Sequence, residues 1–322
     1  MTRFGGIVMG VILVACSSLY AQFDQTYVSA EKGNDSHSCE FGHPCRTINR
    51  AISQTNARGE VIILDSGPYQ PFAVSKSINI TAAPGVQPTI TVGIINQGHG
   101  ALISAGPRDD VTLRGLSITL AQTAGIRFNS GRALLVESCT INDSGTAGIW
   151  VNGPGSVFIK DTTVRNGTNG FDGHGIMVLP TSGTAIVTVE HCRLENNDPG
   201  IGFGGAGFGI HQIDSAVQFS NSKVTVRDTV SSGNVVGFSV FSASGSAEMN
   251  LENCLASGNG SGVLGNASGS GNVTIRVSGS VITDNLLGVA KVGAAAAILS
   301  RENNTLEGNN QNGSFTGVYA AK

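Results

Sequence analysis

The chain has 322 residues, of which 45 are glycine, 13% are charged and 6% are aromatic. That profile would suit a disordered chain, but apolar residues make up 40%, enough for a sizeable core. The net charge is −3 and the lysines and arginines form no cluster, which argues against nucleic acid as a partner.

Residues 1–21 carry Arg3, an apolar run from Ile7 to Ala15 and then small residues. This is the pattern of an export signal, too short to span a bilayer, with cleavage expected after Ala21. Leu13-Val14-Ala15-Cys16 also reads as a bacterial lipobox, which would leave Cys16 lipidated as the chain's one membrane attachment. Either way the mature chain is expected outside the cytoplasm: secreted, periplasmic or on the cell surface.

Residues 22–58 read as an N-terminal cap. Thr26-Tyr27-Val28 begins a strand, and Cys39 and Cys45 lie six residues apart in HSCEFGHPC. In an oxidising compartment a disulfide is their expected state, and the flanking His37 and His43 make a metal site the alternative. After Pro44, a helix of about ten residues is expected, because Ile48, Ala51, Ile52 and Thr55 fall on one face. Strands are expected at Val61–Leu64, Phe72–Val74 and Ile78–Ile80.

Residues 59–322 read as a repeat region, in which a phrase returns from Val111 onward, clearest in VTVEHCRLENNDPGI (187–201). Its sixth position is Leu116, Cys139, Thr162, Cys192, Thr229, Cys254, Ser280 and Thr305, so the steps are 23, 23, 30, 37, 25, 26 and 25 residues. Fixed-period self-similarity marks a solenoid, in which each unit buries its apolar side only against its neighbours. The unit is too short for paired helices. Short runs such as Val-Thr-Val, separated by Gly, Asn, Asp and Ser, instead predict about ten coils of three parallel strands. Positions one, three and six are expected to point inward, so Cys139, Cys192 and Cys254 are small core residues that intervening coils keep apart. Position five (Ser138, Asp161, His191, Asp228, Asn253) is polar and suits a corner. Position four (Arg114, Glu137, Lys160, Glu190, Arg227, Glu252) alternates in sign and predicts register-setting ion pairs.

The stretch TYVSAEKGNDSHSCEFGHPCRTINRAISQTNARGEVIILDSGPYQPFAVSKSINITAAPG (26–85) and the NxxGI element ending at Ile201 resemble secreted bacterial proteins of the pectate lyase-like superfamily. The resemblance implies an all-β, right-handed parallel β-helix with a capped N-terminus. It does not select a function, because that architecture carries lyases, hydrolases, epimerases, adhesins and proteins without activity.

Each phrase ends in Gly-Ile or a close relative. The residue that follows should face outward, giving a column of Arg127, Trp150, Met177, His211, Ser239, Leu264 and Ala290. The two long steps insert loops at 166–175 and 200–214, and interruptions of a regular scaffold are where binding sites usually sit. Asp172, His174, His211 and Asp214 lie in or beside them. Gly173-His174-Gly175 matches the GHG run of polygalacturonase-like hydrolases and Asp109-Asp110 a DD pair, but their NTD and RIK runs are absent and the DD pair precedes a strand outside the column. A lyase-like reading would add calcium, yet no acidic cluster stands out. The expected function is therefore a non-catalytic extracellular module that binds polysaccharide through Arg127, Trp150 and Asp214 beside His211. The alternatives are a polysaccharide lyase, epimerase or hydrolase using Asp172, His174 and His211 beneath the loops, and a structural surface protein without a ligand.

Overall fold

A repeat of alternating apolar residues broken by Gly, Asn and Asp can bury its core only by coiling, and each winding here contributes one strand to each of three sheets. The computed structural model describes residues 23–93, 98–167, 173–197, 201–204 and 221–320. The signal region, Cys16, Asp172, His211 and Asp214 lie outside these residues. The first sheet has 12 strands, from Phe23–Val28 to Gly317–Val318; the second and third have 10 each. One winding runs through Ala133–Glu137, Thr140–Asn142 and Ala147–Val151, in the first, second and third sheets respectively. All sheet neighbours are parallel, and equivalent residues of successive repeats stand in register, as in Val136↔Ile159↔Val189↔Val226↔Leu251 through the core.

The cap is part of the helix. Phe23–Val28 pairs with Thr55–Ile63 and so opens the first sheet. A helix at Ile48–Gln54 lies over the first winding with Ile48, Ala51 and Ile52 buried and Thr47 as N-cap. It is shorter than the expected ten residues. Thr55 turns extended (φ −83°, ψ 140°) and its hydroxyl lies 2.8 Å from that of Thr26, so strand pairing wins over another helical turn. Cys39 and Cys45 form a disulfide with Cα atoms 4.7 Å apart. His37 and His43 stack edge to face at 5.7 Å, but among the described residues no group of three or more His, Cys, Asp or Glu side chains is placed to hold a metal ion.

The sixth-position residues from Leu116 to Ser280 are buried as one file; Thr305, in the last winding, is exposed. Hydroxyls and thiols alternate along it for a reason. Thr162, Thr229 and Ser280 accept from the backbone N–H of Cys139, Cys192 and Cys254, at 3.3, 3.3 and 3.1 Å. Each hydroxyl donates in turn to the carbonyl two residues before it, at 2.8–2.9 Å. The cysteines are unbonded, and burial pushes their thiols up to about 11 for Cys139 and about 12 for Cys192 and Cys254. Since the thiolate is the reactive form, a thiol reagent at pH 8 is expected to label none of the three in the folded protein. In denaturant it should label all of them, as counted by mass spectrometry.

Position five is polar because its backbone is left-handed: Ser138, Asp161, His191, Asp228 and Asn253 have φ of 48–53°. Asn, Asp and Gly tolerate that region best. The alternating column pairs Arg114 with Glu137 at 2.7 Å and Arg227 with both Glu190 and Glu252, at 3.7 and 3.3 Å. Lys160 departs from the pattern and lies 3.6 Å from Asp161.

A further column explains the NxxGI element. Asn197, Asn234, Asn259, Asn285 and Asn309 form a ladder at the corner between the second and third sheets. The side-chain oxygens of Asn234, Asn259, Asn285 and Asn309 accept from the backbone N–H of the preceding asparagine at 2.7–3.0 Å. Each amide nitrogen donates to a carbonyl one winding back, as Asn259 does to Ser231 at 3.0 Å. The glycine of Gly-Ile admits the stack: a Cβ on Gly262 would meet the Asn285 amide at 2.9 Å and the Gly288 carbonyl oxygen at 2.7 Å.

Candidate functional site

The strands that follow each Gly-Ile make the third sheet, and their register is Leu102–Arg127–Trp150–Met177–Gly202–Ser239–Leu264–Ala290. The expected column exists with one correction. At the fifth place stands Gly202, not His211. The insertion contains two Gly-Ile pairs, and the strand begins at the first, Ile201, four residues after Asn197, where the ladder spacing demands it. The column is also not open throughout, since Met177 and Ser239 are buried.

Arg127 and Trp150 do come together. The Arg127 guanidinium carbon stands 4.3 Å from the centroid of the Trp150 ring, a cation–π stack between adjacent windings. The same guanidinium is held at two further points. Its Nε donates to Asn129 Oδ1 at 2.9 Å, and its Nη1 lies 3.1 Å from Nε2 of His99. Asn129 donates to Ser104 at 3.2 Å and accepts from Asn152 at 3.5 Å, so a polar row runs beside the Leu102–Arg127–Trp150 column. Arg127 is half-buried, burial holds its pKa below the usual guanidinium value, and no carboxylate lies within ion-pair distance among the described residues. A guanidinium stays charged at any ordinary pH. The site therefore presents a fixed, partly desolvated cation on an aromatic platform, with Nη2 free of protein partners among those residues.

His99 is the member that sequence reasoning missed. It opens the strand His99–Ser104, 1% exposed, and burial together with the Arg127 charge depresses its pKa to about 4. Its signal in the sequence was faint: HGALIS occupies the place of the later Gly-Ile strands, one winding before Arg127, but only the register shows it. Because the folded-state pKa lies below the ordinary 6.5, the unfolded chain binds the proton first as pH falls. The stability contributed by neutral His99 is complete above pH 6.5 and is lost progressively as pH drops towards 4, about 3 kcal/mol in all. Chemical denaturation across that window should show the loss in the parent protein and a flatter profile in His99→Gln.

The remaining candidates separate. His174 aligns with Ala147, Ala124 and His99 rather than with Arg127, and it is fully buried. Asp109 accepts from the Ser77 hydroxyl at 2.7 Å and the Gly106 N–H at 2.8 Å, which lowers its pKa, while Asp110 pairs with Arg132. The DD pair thus braces the turn that leads into the first sheet, where Asp110 opens a strand. No set of carboxylates among the described residues fits a calcium ion.

Comparison with known proteins agrees with this architecture. No curated protein matches the chain in sequence. Among solved structures, the pectate lyase Pel9A superposes with a TM-score of 0.70 at 16% identity, covering 94% of this chain and 80% of that one. The A-module of the Azotobacter vinelandii mannuronan C-5 epimerase AlgE4 gives a TM-score of 0.49 at 11% identity, over 92% of this chain and 100% of that one. The profile of the family described as "Right handed beta helix region" matches residues 101–278. With its ladders, corners and three parallel sheets, the chain belongs to the right-handed β-helix family.

Proposed function

We propose that this is an exported, non-catalytic β-helix protein that binds an acidic polysaccharide across the third sheet at Arg127 and Trp150. One observation carries the reading: a half-buried guanidinium, clamped by Trp150, Asn129 and His99, has no carboxylate partner among the described residues. Buried charges are normally paired, and a planar fork held in place is suited to a carboxylate. A uronate supplies that anion, and its ring can pack beside the half-buried Trp150. The likeness to a pectate lyase supports an acidic polysaccharide as the ligand class. Export is supported by the signal-like start of the sequence and by the Cys39–Cys45 disulfide.

Trp150 is the sole tryptophan, so tryptophan emission excited to the red of tyrosine absorption reports on this site alone. Titration with polygalacturonate or alginate is expected to change the emission saturably, with no response to a neutral glucan. Equal responses to charged and neutral polymers would sink the reading. The catalytic alternative, a lyase or epimerase drawing on Asp172, His174 or His211, predicts unsaturated or epimerised products in the same samples. Their absence over prolonged incubation is the expected result.

A further inference from the structure

The first sheet carries a second cationic site, far from Arg127. Arg276 lies in the strand Asn272–Ser278, and its register partner is Leu299. Arg301 follows the next strand, held by its N–H on the Val277 carbonyl at 3.0 Å. Tyr319 follows the strand after that, its N–H on the Ser300 carbonyl at 3.0 Å. Three consecutive windings thus place two guanidinium groups and a phenol around one cavity of about 520 Å³, lined by Arg276, Arg301, Tyr319 and Ala320. The charges do not balance. Arg276 donates to Glu248 at 3.0 Å and reaches Asn250 at 3.5 Å. Arg301 is exposed, stands 6.0 Å from the centroid of the Tyr319 ring, and has no ion-pair partner among the described residues. Glu302, its neighbour in sequence, does not line the cavity.

We infer that this cavity binds a carboxylate or sulfate group of an acidic polysaccharide, and that the protein thereby bridges two polysaccharide chains. Arg301 supplies the uncompensated charge and a fork for two acceptor oxygens. Tyr319 supplies a ring against which a sugar can pack. The site lies on a different sheet from Arg127, with Arg276 six and Arg301 seven windings further along the stack, about 30 Å at strand spacing. A short oligosaccharide held at one site does not reach the other. Two polymer strands can be held at once, and joining sites in this way raises avidity without new contacts. The bridging rests on the Arg127 reading; the Arg301 site does not.

The test is calorimetric titration of the full chain with a short oligogalacturonate and, separately, with a short sulfated oligosaccharide. Two equivalents are expected to bind the parent protein, and one to bind Arg301→Gln or Arg127→Gln. Only the parent should make solutions of the long polymer turbid. Arg301 is exposed, so its variant should melt with the parent and leave the Trp150 response intact. Binding of the sulfated probe alone at the Arg301 site supports the site and makes sulfate the source of the anion. A loss of one equivalent in Arg301→Gln but none in Arg127→Gln keeps the site and removes the bridge together with the Arg127 reading. One equivalent in the parent, unchanged by Arg301→Gln and Arg276→Gln, overturns the inference.

Discussion

Arg127→Lys is expected to weaken binding of an acidic polysaccharide about tenfold, and Arg127→Ala about a hundredfold, while leaving the fold intact. The lysine variant separates charge from geometry. Its ammonium keeps the net charge and can still approach a carboxylate. It cannot donate at once to Asn129 and His99 while presenting a planar fork, and it loses the flat stack on Trp150. A charge-assisted hydrogen bond contributes about 1.5–3 kcal/mol, and about 1.4 kcal/mol is tenfold in affinity. Alanine forfeits the pair entirely and also removes the Arg127 contact to Nε2 of the buried His99. Fluorescence titration in low salt measures both, and a lysine variant indistinguishable from the parent would show that Arg127 acts only as diffuse charge.

The fold was legible because a β-helix writes its own geometry at a fixed period. The sixth-position file up to Ser280, the left-handed corner and the alternating column, Lys160 apart, appear where the phrase places them, since each residue's environment repeats once per winding. The site was less legible for a matching reason: function here lies in departures from the repeat. Arg127 and Trp150 were visible as irregular members of an outward column. His99 was not, because the imidazole belongs to an earlier winding whose phrase is too worn to align by eye, and only the register shows that it meets Arg127. His211 was misplaced where the insertion offers two Gly-Ile pairs, and sequence alone does not say which one enters the sheet. The Arg276–Arg301–Tyr319 cavity needed coordinates altogether, for its members are 18 to 43 residues apart and none belongs to a recognisable motif. The asparagine ladder was half seen. The NxxGI spacing was plain, but not that each side chain serves the neighbouring winding rather than its own.

That ladder predicts the largest loss of stability from a single side chain. Asn259 is 3% exposed and its side chain makes four bonds between windings: it accepts from the Asn234 N–H at 2.9 Å and the Asn234 Nδ2 at 3.2 Å, donates to the Ser231 carbonyl at 3.0 Å and donates to Asn285 Oδ1 at 2.9 Å. Asn259→Ala removes all four and leaves the Asn234 N–H buried without a partner. The orphaned N–H costs about 1–3 kcal/mol and each further lost bond about 1 kcal/mol, so a loss of about 3 kcal/mol is expected from denaturation. Asn259→Asp is the sharper probe. The carboxylate still accepts from Asn234 but cannot donate to Ser231, and it confronts the Asn285 oxygen at the distance of a hydrogen bond. It should therefore be no better than alanine at pH 7 and recover part of the loss once protonated in acid. Solenoid stability is a sum of windings and their interfaces, so hydrogen exchange should rise first in the windings of Asn234, Asn259 and Asn285. The Arg127 face, several windings away, should keep its Trp150 response. A uniform rise in exchange along the whole stack would mean that the windings unfold as one unit and that the ladder acts globally.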